Sequence, residues 1–218
     1  MTEAAQKPVR QGQAHKRAAI LAAARELLVQ TGVERTSMDA IAARAEVSKR
    51  TVYDYYGDKR RLLLGVIEEA GEAALATLRS LIERHLSDAA AVNDAVEMER
   101  AVTDFAADLG GSLLVSSNYA AAVKLIAENE SLLPELEDHP LDEAHAQALA
   151  ERFAHFAGIG LLEIEDAALA ADHFHALTTL RVLNEPLARR TDAEHIRRVM
   201  ADGAHVFMRA YTPRSSGR

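Results

Sequence analysis

Apolar residues recur at three- and four-residue intervals along almost the whole chain, the spacing that puts side chains on one face of an α-helix. The first such segment runs from about His15 to Gln30, with Ile20, Ala24, Leu27 and Leu28 in one stripe and Thr31-Gly32 as its stop. Thr36 is placed to cap a second helix, with Asp39 three residues on as capping-box partner and Met38, Ile41, Ala42 and Ala45 facing inward. After the turn Ala45-Glu46-Val47, Ser48 caps a third helix that buries Val52, and Gly57 breaks it. Asp58 then opens a long fourth helix to about Arg84, striped by Leu63, Ile67, Ala70, Ala74, Leu78 and Leu81.

The next periodic segment starts at Ser87-Asp88, aligns Met98, Val102, Phe105 and Leu109, and meets Gly110-Gly111 as an expected break. Further helices are expected over about Asn118 to Asn129, Leu141 to Ala157, Asp166 to Asn184 and Asp192 to Ala210, with Thr191 and Glu194 as another capping box. The last two carry the stripes Ala167, Ala171, Phe174, Leu177, Arg181 and Ile196, Val199, Gly203, Val206, Phe207, Ala210, whose small members allow close helix approach. No strand-like alternation and no Asn-Gly or Asp-Gly hairpin turn is present, so the expected fold is all-α with about nine helices. Residues 1–14 read as a flexible basic arm, 15–60 as a head, 61–211 as a body and 212–218 as a tail.

Charge divides the chain at the same place. Residues 1–62 hold 12 Lys+Arg against 7 Asp+Glu, the remainder 13 against 26, within an overall net charge of −8. A basic head on an acidic body suits a nucleic-acid reader. The absence of cysteine removes disulfides and thiolate metal sites. With no membrane-length apolar run and no secretory signal, the expected location is cytoplasmic, with no membrane partner.

The segment TSMDAIAARAEVSKRTVYDYYGDK, Thr36 to Lys59, gives the charge asymmetry a chemistry: two short helices joined by a tight turn, the second opening with Ser48-Lys49-Arg50-Thr51 and carrying Tyr53, Tyr55 and Tyr56. Cationic and hydroxyl side chains on a short exposed helix fit a DNA groove. With Ile20, Gly32, Thr36-Ser37-Met38, Ile41-Ala42, Ala45-Glu46-Val47-Ser48, Tyr53, Tyr56, Lys59 and Leu62, residues 15–65 resemble the head of the tetracycline-repressor (TetR) family of bacterial transcription regulators. Glu46 stands where that family usually has Gly, so a positive φ there would cost about 1 kcal/mol. Tyr56 stands where it usually has Phe, which points to a core role.

The residue types assign the contacts. Lys49 and Arg50 can reach base edges, and Thr51 a thymine methyl or a phosphate. Thr36, Ser48, Tyr53 and Lys59 suit phosphate contacts, Tyr53 by resemblance as well; Tyr55 is open between DNA and packing. Asp54 has two readings, acceptor from a cytosine amino group or a side chain turned away from the phosphates. Lys7, Arg10, Lys16 and Arg17 either follow the DNA backbone or enter a minor groove, or else belong to an ordinary disordered tail.

The resemblance implies a homodimer in which the last two helices pair with their mates as a four-helix bundle through the stripes named above. The two heads would then enter successive major grooves of a near-palindromic double-stranded operator about 34–36 Å apart. It also implies a cavity for a small-molecule effector in the body, for which Phe105, Asn118, Tyr119, His145, Phe153, His155 and Phe156 are candidates, and release of a repressor from its operator. Two rival readings are an effector-independent DNA-binding activator or architectural protein, and a helical ligand-binding or interaction module that leaves DNA alone. No two of the nine histidines are three or four residues apart, and HExxH, GxxxxGK[ST] and GxSxG are absent, so no metal, cofactor or catalytic residue is expected.

Overall fold

The computed structural model describes residues 7–90, 92–136 and 140–213. Among these residues every regular element is helical: α1 (Lys7–Thr31), α2 (Met38–Arg44), α3 (Lys49–Tyr56), α4 (Lys59–Leu86), α5 (Ala95–Leu109), α6 (Ser117–Asn129), α7 (Pro140–Gly158), α8 (Ala167–Leu177), α9 (Thr179–Leu183), α10 (Leu187–Arg190) and α11 (Ala193–Tyr211). The chain forms two compact units, one of Met1–Gly71 with Ala121–Glu137 and one of Glu72–Ala120 with Asp138–Arg218. Both α4 and α6 begin in one unit and end in the other.

The first unit is larger than the 15–60 head marked out by the sequence. Its core joins Ile20, Ala24 and Leu28 of α1 to Ile41 of α2, Val52 of α3 and Leu62, Leu63 and Val66 of α4, and Leu125 and Leu133 complete it from far along the chain. Lys124 Nζ donates to Val29 O at 3.1 Å, and Arg60 Nε to Leu132 O at 2.8 Å, so the late segment is bonded as well as packed. The expected arm is helix from residue 7 onward, continuous with α1, while residues 1–6 and the tail residues 214–218 lie outside the described part.

Caps differ from expectation in an instructive way. The cap of α2 is Ser37, whose Oγ accepts from Ala40 N at 3.1 Å, not Thr36. Thr36 is only 4% exposed, and its hydroxyl donates to Gly32 O at 2.7 Å and lies 2.7 Å from Thr31 Oγ1. Asp192, not Thr191, caps α11 by accepting from Glu194 N and His195 N. Likewise α5 starts at Ala95 under Asp94, after a 3₁₀ turn at Asp88–Ala90 in place of the helix expected from Ser87. At α2 and α11 an acceptor side chain one residue closer to the helix outcompetes the expected one, whereas the cap of α5, Asp94, lies six residues beyond Asp88. The caps Ser48 and Asp58 are as expected.

In the second unit, α5 and α8 pack against α11. Phe105, Phe153, Phe174 and Phe207, all fully buried, form one ring cluster with centroids 5.9 Å (Phe105–Phe174), 5.7 Å (Phe153–Phe174), 5.4 Å (Phe174–Phe207) and 4.8 Å (Phe153–Phe207) apart. Gly110-Gly111 does not end the helix. The chain runs on through a π-helical turn, Gly110–Leu114, and the glycines admit α11: a Cβ on Gly110 would lie 2.6 Å from Met200 Cγ. The helix expected over Asp166 to Asn184 is instead broken at Thr178 (φ −116°, ψ −88°), whose buried hydroxyl donates to Phe174 O at 2.6 Å.

That break is where α11 comes closest. A Cβ at Gly203 would sit 2.0 Å from Leu177 O, a backbone atom that no rotamer change can move. Gly203→Ala is therefore expected to lose about 1–3 kcal/mol to overpacking, despite the better helix propensity of Ala. Gly158→Ala, with nothing within 4 Å of the new methyl, should be neutral or stabilising by up to about 1 kcal/mol. Denaturant melts of the two variants check both signs.

Candidate nucleic-acid interface

The turn between α2 and α3 orients the second helix. Glu46 has φ 55°, and Glu46 N and Val47 N donate back to Ala43 O and Ala42 O at 3.3 and 3.0 Å. The positive φ reserved for Gly by the resemblance is thus present and occupied by Glu. Ser48 then caps α3, its Oγ accepting from Thr51 N at 3.0 Å and lying 2.8 Å from Thr51 Oγ1.

One side of α3 is sealed. Val52 is fully buried, and Tyr56 is 8% exposed with its ring over α4 at Gly65, where a Cβ would lie 2.9 Å from Tyr56 Cε1. Burial pushes the Tyr56 hydroxyl above its ordinary pKa, with nearby Arg17 opposing the shift. Tyr56 is thus a core residue, as the sequence suggested.

The rest of the helix is open. Lys49, Arg50, Tyr53 and Tyr55 are exposed, the two tyrosines by 43% and 39%. Lys49 Nζ lies 2.7 Å from Asp39 Oδ1 and 5.9 Å from the Tyr53 ring centroid, and the bond to Asp39 raises its pKa. Arg50 Nε lies 3.7 Å from Asp54 Oδ2, one turn on. Tyr55 Oη donates to Gln13 O at 3.3 Å, tying α3 to α1. On α2, Arg44 makes a two-pronged bond to Glu26, with 2.9 Å from Nε to Oε2 and from Nη2 to Oε1.

Two of the expected phosphate contacts change character. Thr36 is interior, so its hydroxyl is withdrawn from this surface. Lys59 Nζ donates to Glu34 O at 3.1 Å and Thr36 O at 3.0 Å, which makes it a brace for the turn between α1 and α2. Nothing in the sequence pattern marks a lysine as a carbonyl brace; the turn must be folded first.

The geometry is that of a helix-turn-helix with a buried spine and a cationic, hydroxyl-bearing face. Residues 20–66 match the family model of bacterial regulatory proteins of the tetR family, and residues 111–213 that of the AefR-like transcriptional repressor C-terminal domain. The chain belongs to the TetR family. This TetR-family protein is a DNA-binding transcriptional regulator.

Similar solved structures span nearly the whole chain. A TetR-family transcriptional regulator from Mesorhizobium loti is 22% identical with TM-score 0.74, covering 92% of this chain and 98% of that one. The flavonoid-responsive regulator FrrA is 28% identical with TM-score 0.59 and the same coverage, 92% and 98%. A complex of SmeT with triclosan is 20% identical with TM-score 0.65, covering 91% and 92%. No curated protein matches the chain.

The body residues expected to line a cavity take several roles. Phe105 and Phe153 are consumed by the ring cluster, a correction that follows from four large rings filling one another's contact surface. Phe156 is buried beneath the Arg152 guanidinium at 5.2 Å, and His155 Nε2 lies 3.3 Å from Asp88 Oδ1. Asn118, Tyr119 and His145 are half-buried.

The expected dimer stripes are corrected too. Ala171, Phe174, Ile196, Val199, Gly203 and Phe207 are interior to a single chain, because α8 and α11 turn these residues toward each other and α5. Ala167 and Leu177 are half-buried, while Arg181, Val206 and Ala210 are exposed. Among the described residues no group of three or more His, Asp or Glu is placed to hold a metal ion, and no single helix is long and apolar enough to cross a membrane.

The positive φ at Glu46 supplies a direct stability test. Glu46→Gly should stabilise the protein by about 0.5–1 kcal/mol, the left-handed penalty partly offset by the greater freedom of Gly in the unfolded chain. A thermal midpoint equal to or below that of the parent would contradict this account of the turn.

Proposed function

We propose that this regulator is a homodimeric repressor whose paired α3 helices read a near-palindromic operator and whose body binds a small-molecule effector that releases it. The observation that carries the reading is that α3 buries Val52 and Tyr56 while Lys49, Arg50 and Tyr53 are exposed. Arg50 and Lys49 are assigned to base edges, with Thr51 beside them. Ser48 and Tyr53, at and near the capped N-terminus, are assigned to phosphates. Lys59 and Tyr55 act from behind, by holding the α1–α2 turn and α1 in place.

A second copy of the chain is assigned to the outer face of the α8–α9 segment. Leu169, His173, Ala176 and Leu180 are exposed there at helical spacing, and Val206 and Ala210 are exposed on α11. Repression and effector release rest on similarity: the C-terminal half matches an AefR-like repressor domain, SmeT is complexed with triclosan, and FrrA is described as flavonoid-responsive. An apolar aromatic effector follows by analogy. To act, it must bind one arrangement of the two heads better than another, since a ligand shifts only what it binds differentially. The covalent routes for that shift are α4 and α6, each shared by both units.

Selection from a random duplex pool, followed by mobility shift, tests DNA reading directly. Arg50→Ala should lose about 1–3 kcal/mol of discrimination at one base pair per half-site, while Tyr53→Phe should weaken all duplexes alike. Failure of the pool to enrich any sequence at low salt would overturn the reading. For assembly, Leu180→Glu should shift the light-scattering mass from dimer to monomer and abolish operator binding at concentrations where the parent binds; an unchanged dimer would place the interface elsewhere.

A further inference from the structure

Both cations of α3 have a carboxylate beside them. Asp39 reaches across the helix-turn-helix to Lys49, with Oδ1 and Oδ2 at 2.7 and 3.0 Å from Nζ. Asp54 stands one turn beyond Arg50, with Oδ2 at 3.7 Å from Nε. All four side chains are more than half exposed, and Arg50 is 89% exposed. Ion pairs in such surroundings add little to stability, so folding alone gives little reason to place two negative charges on the surface that must meet DNA.

The geometry gives these charges a use. Asp54 lies at the Nε edge of the Arg50 guanidinium. The two terminal amino groups are the fork that matches O6 and N7 of guanine. Asp39, with both oxygens within 3.0 Å of Nζ, leaves Lys49 at least one of its three ammonium protons for another acceptor. An arginine with a carboxylate drawing its Nε edge loses less rotamer freedom on meeting a guanine. The same carboxylate repels phosphates and lowers the number of counterions that a purely electrostatic encounter can release.

Resting on the reading of α3 as a DNA-reading helix, we propose that Asp39 and Asp54 are specificity-determining positioning residues, which orient Lys49 and Arg50 toward base edges and weaken binding to DNA of arbitrary sequence. Indiscriminate binding draws on total positive charge, which the carboxylates cut. Operator binding draws on the placed fork and amine, which they steady. The two together widen the gap between operator and bulk DNA.

The test compares the parent with Asp39→Asn/Asp54→Asn on two probes, a mixed-sequence 30-base-pair duplex and the duplex selected from a random pool, by fluorescence anisotropy at several salt concentrations. The double variant should bind the mixed-sequence duplex more tightly, by roughly tenfold at low salt, with a salt slope steeper by up to about 1 for each phosphate newly contacted. Its preference for the selected duplex should fall at least severalfold. Asp39→Glu/Asp54→Glu, which retains both charges, should keep most of the preference. Glu34→Gln, which removes one charge from an exposed site in the α1–α2 turn, should leave the preference unchanged.

An unchanged preference in the double Asn variant overturns the proposal, as does an equal loss in Glu34→Gln, which would reduce the effect to net charge. In both cases the selected duplex still binds the parent, so DNA reading stands. If no duplex is enriched and the parent ignores both probes, DNA reading falls and this inference with it.

Discussion

An eight-residue helix is too short to hold its shape in water, because the ordering of its first turn is not recovered over so few hydrogen bonds. The orientation of α3 therefore depends on what it is pinned to. Val52 and Tyr56, a turn apart on one side, sink into the core formed by α1, α2 and α4, and Gly65 clears the space that the Tyr56 ring needs. Ser48 accepts from the amide of Thr51 at the N-terminus, while Gly57, at φ 71°, turns the chain away at the other end. With that side fixed, Arg50 and Tyr53 are turned outward by helical periodicity, while Lys49, in register with Val52 and Tyr56, is exposed because it stands at the first residue of the helix. Everything assigned to DNA depends on this anchoring.

The same economy shows in how the unit is braced. Lys59 spends its ammonium on two carbonyls of the α1–α2 turn, Arg44 its guanidinium on Glu26, and Tyr55 its hydroxyl on α1. Several polar groups that look from sequence like DNA ligands are committed to holding the frame. This leaves few charges for the duplex, and those few are flanked by Asp39 and Asp54. The two cations of the exposed helix thus carry less free charge than the basic excess of residues 1–62 suggests.

Glycine has opposite meanings in different parts of the chain. Gly32, Gly57 and Gly160 take positive φ and end or redirect helices. Gly110, Gly111 and Gly203 are helical and matter for what they lack, since a methyl at each would strike a neighbouring element. In the body these close approaches bring α5, α8 and α11 together around four phenylalanine rings. Most of the residues that look like a dimer seam are thereby buried within one chain, while Leu169, Leu180 and Val206 stay exposed.

Periodicity determined the all-helical class, the order of the long helices and the Ser48 and Asp58 caps. The spaced motif from Ile20 to Leu62 determined the family, because turn residues, caps and core positions of a helix-turn-helix are local in sequence. Even the strain at Glu46 was legible, as a side chain standing where the turn needs positive φ. Tertiary structure decided what depends on partners far along the chain: that Leu125 and Leu133 complete the head, that Thr36 is interior, that Lys59 is a brace, and that Asp39 faces Lys49. It decided too which side of α8 and α11 is core, since a helix with apolar residues on more than one face does not say which of them meets its own chain. Local backbone chemistry is written in neighbouring residues; the choice among competing contacts is made only when distant segments meet.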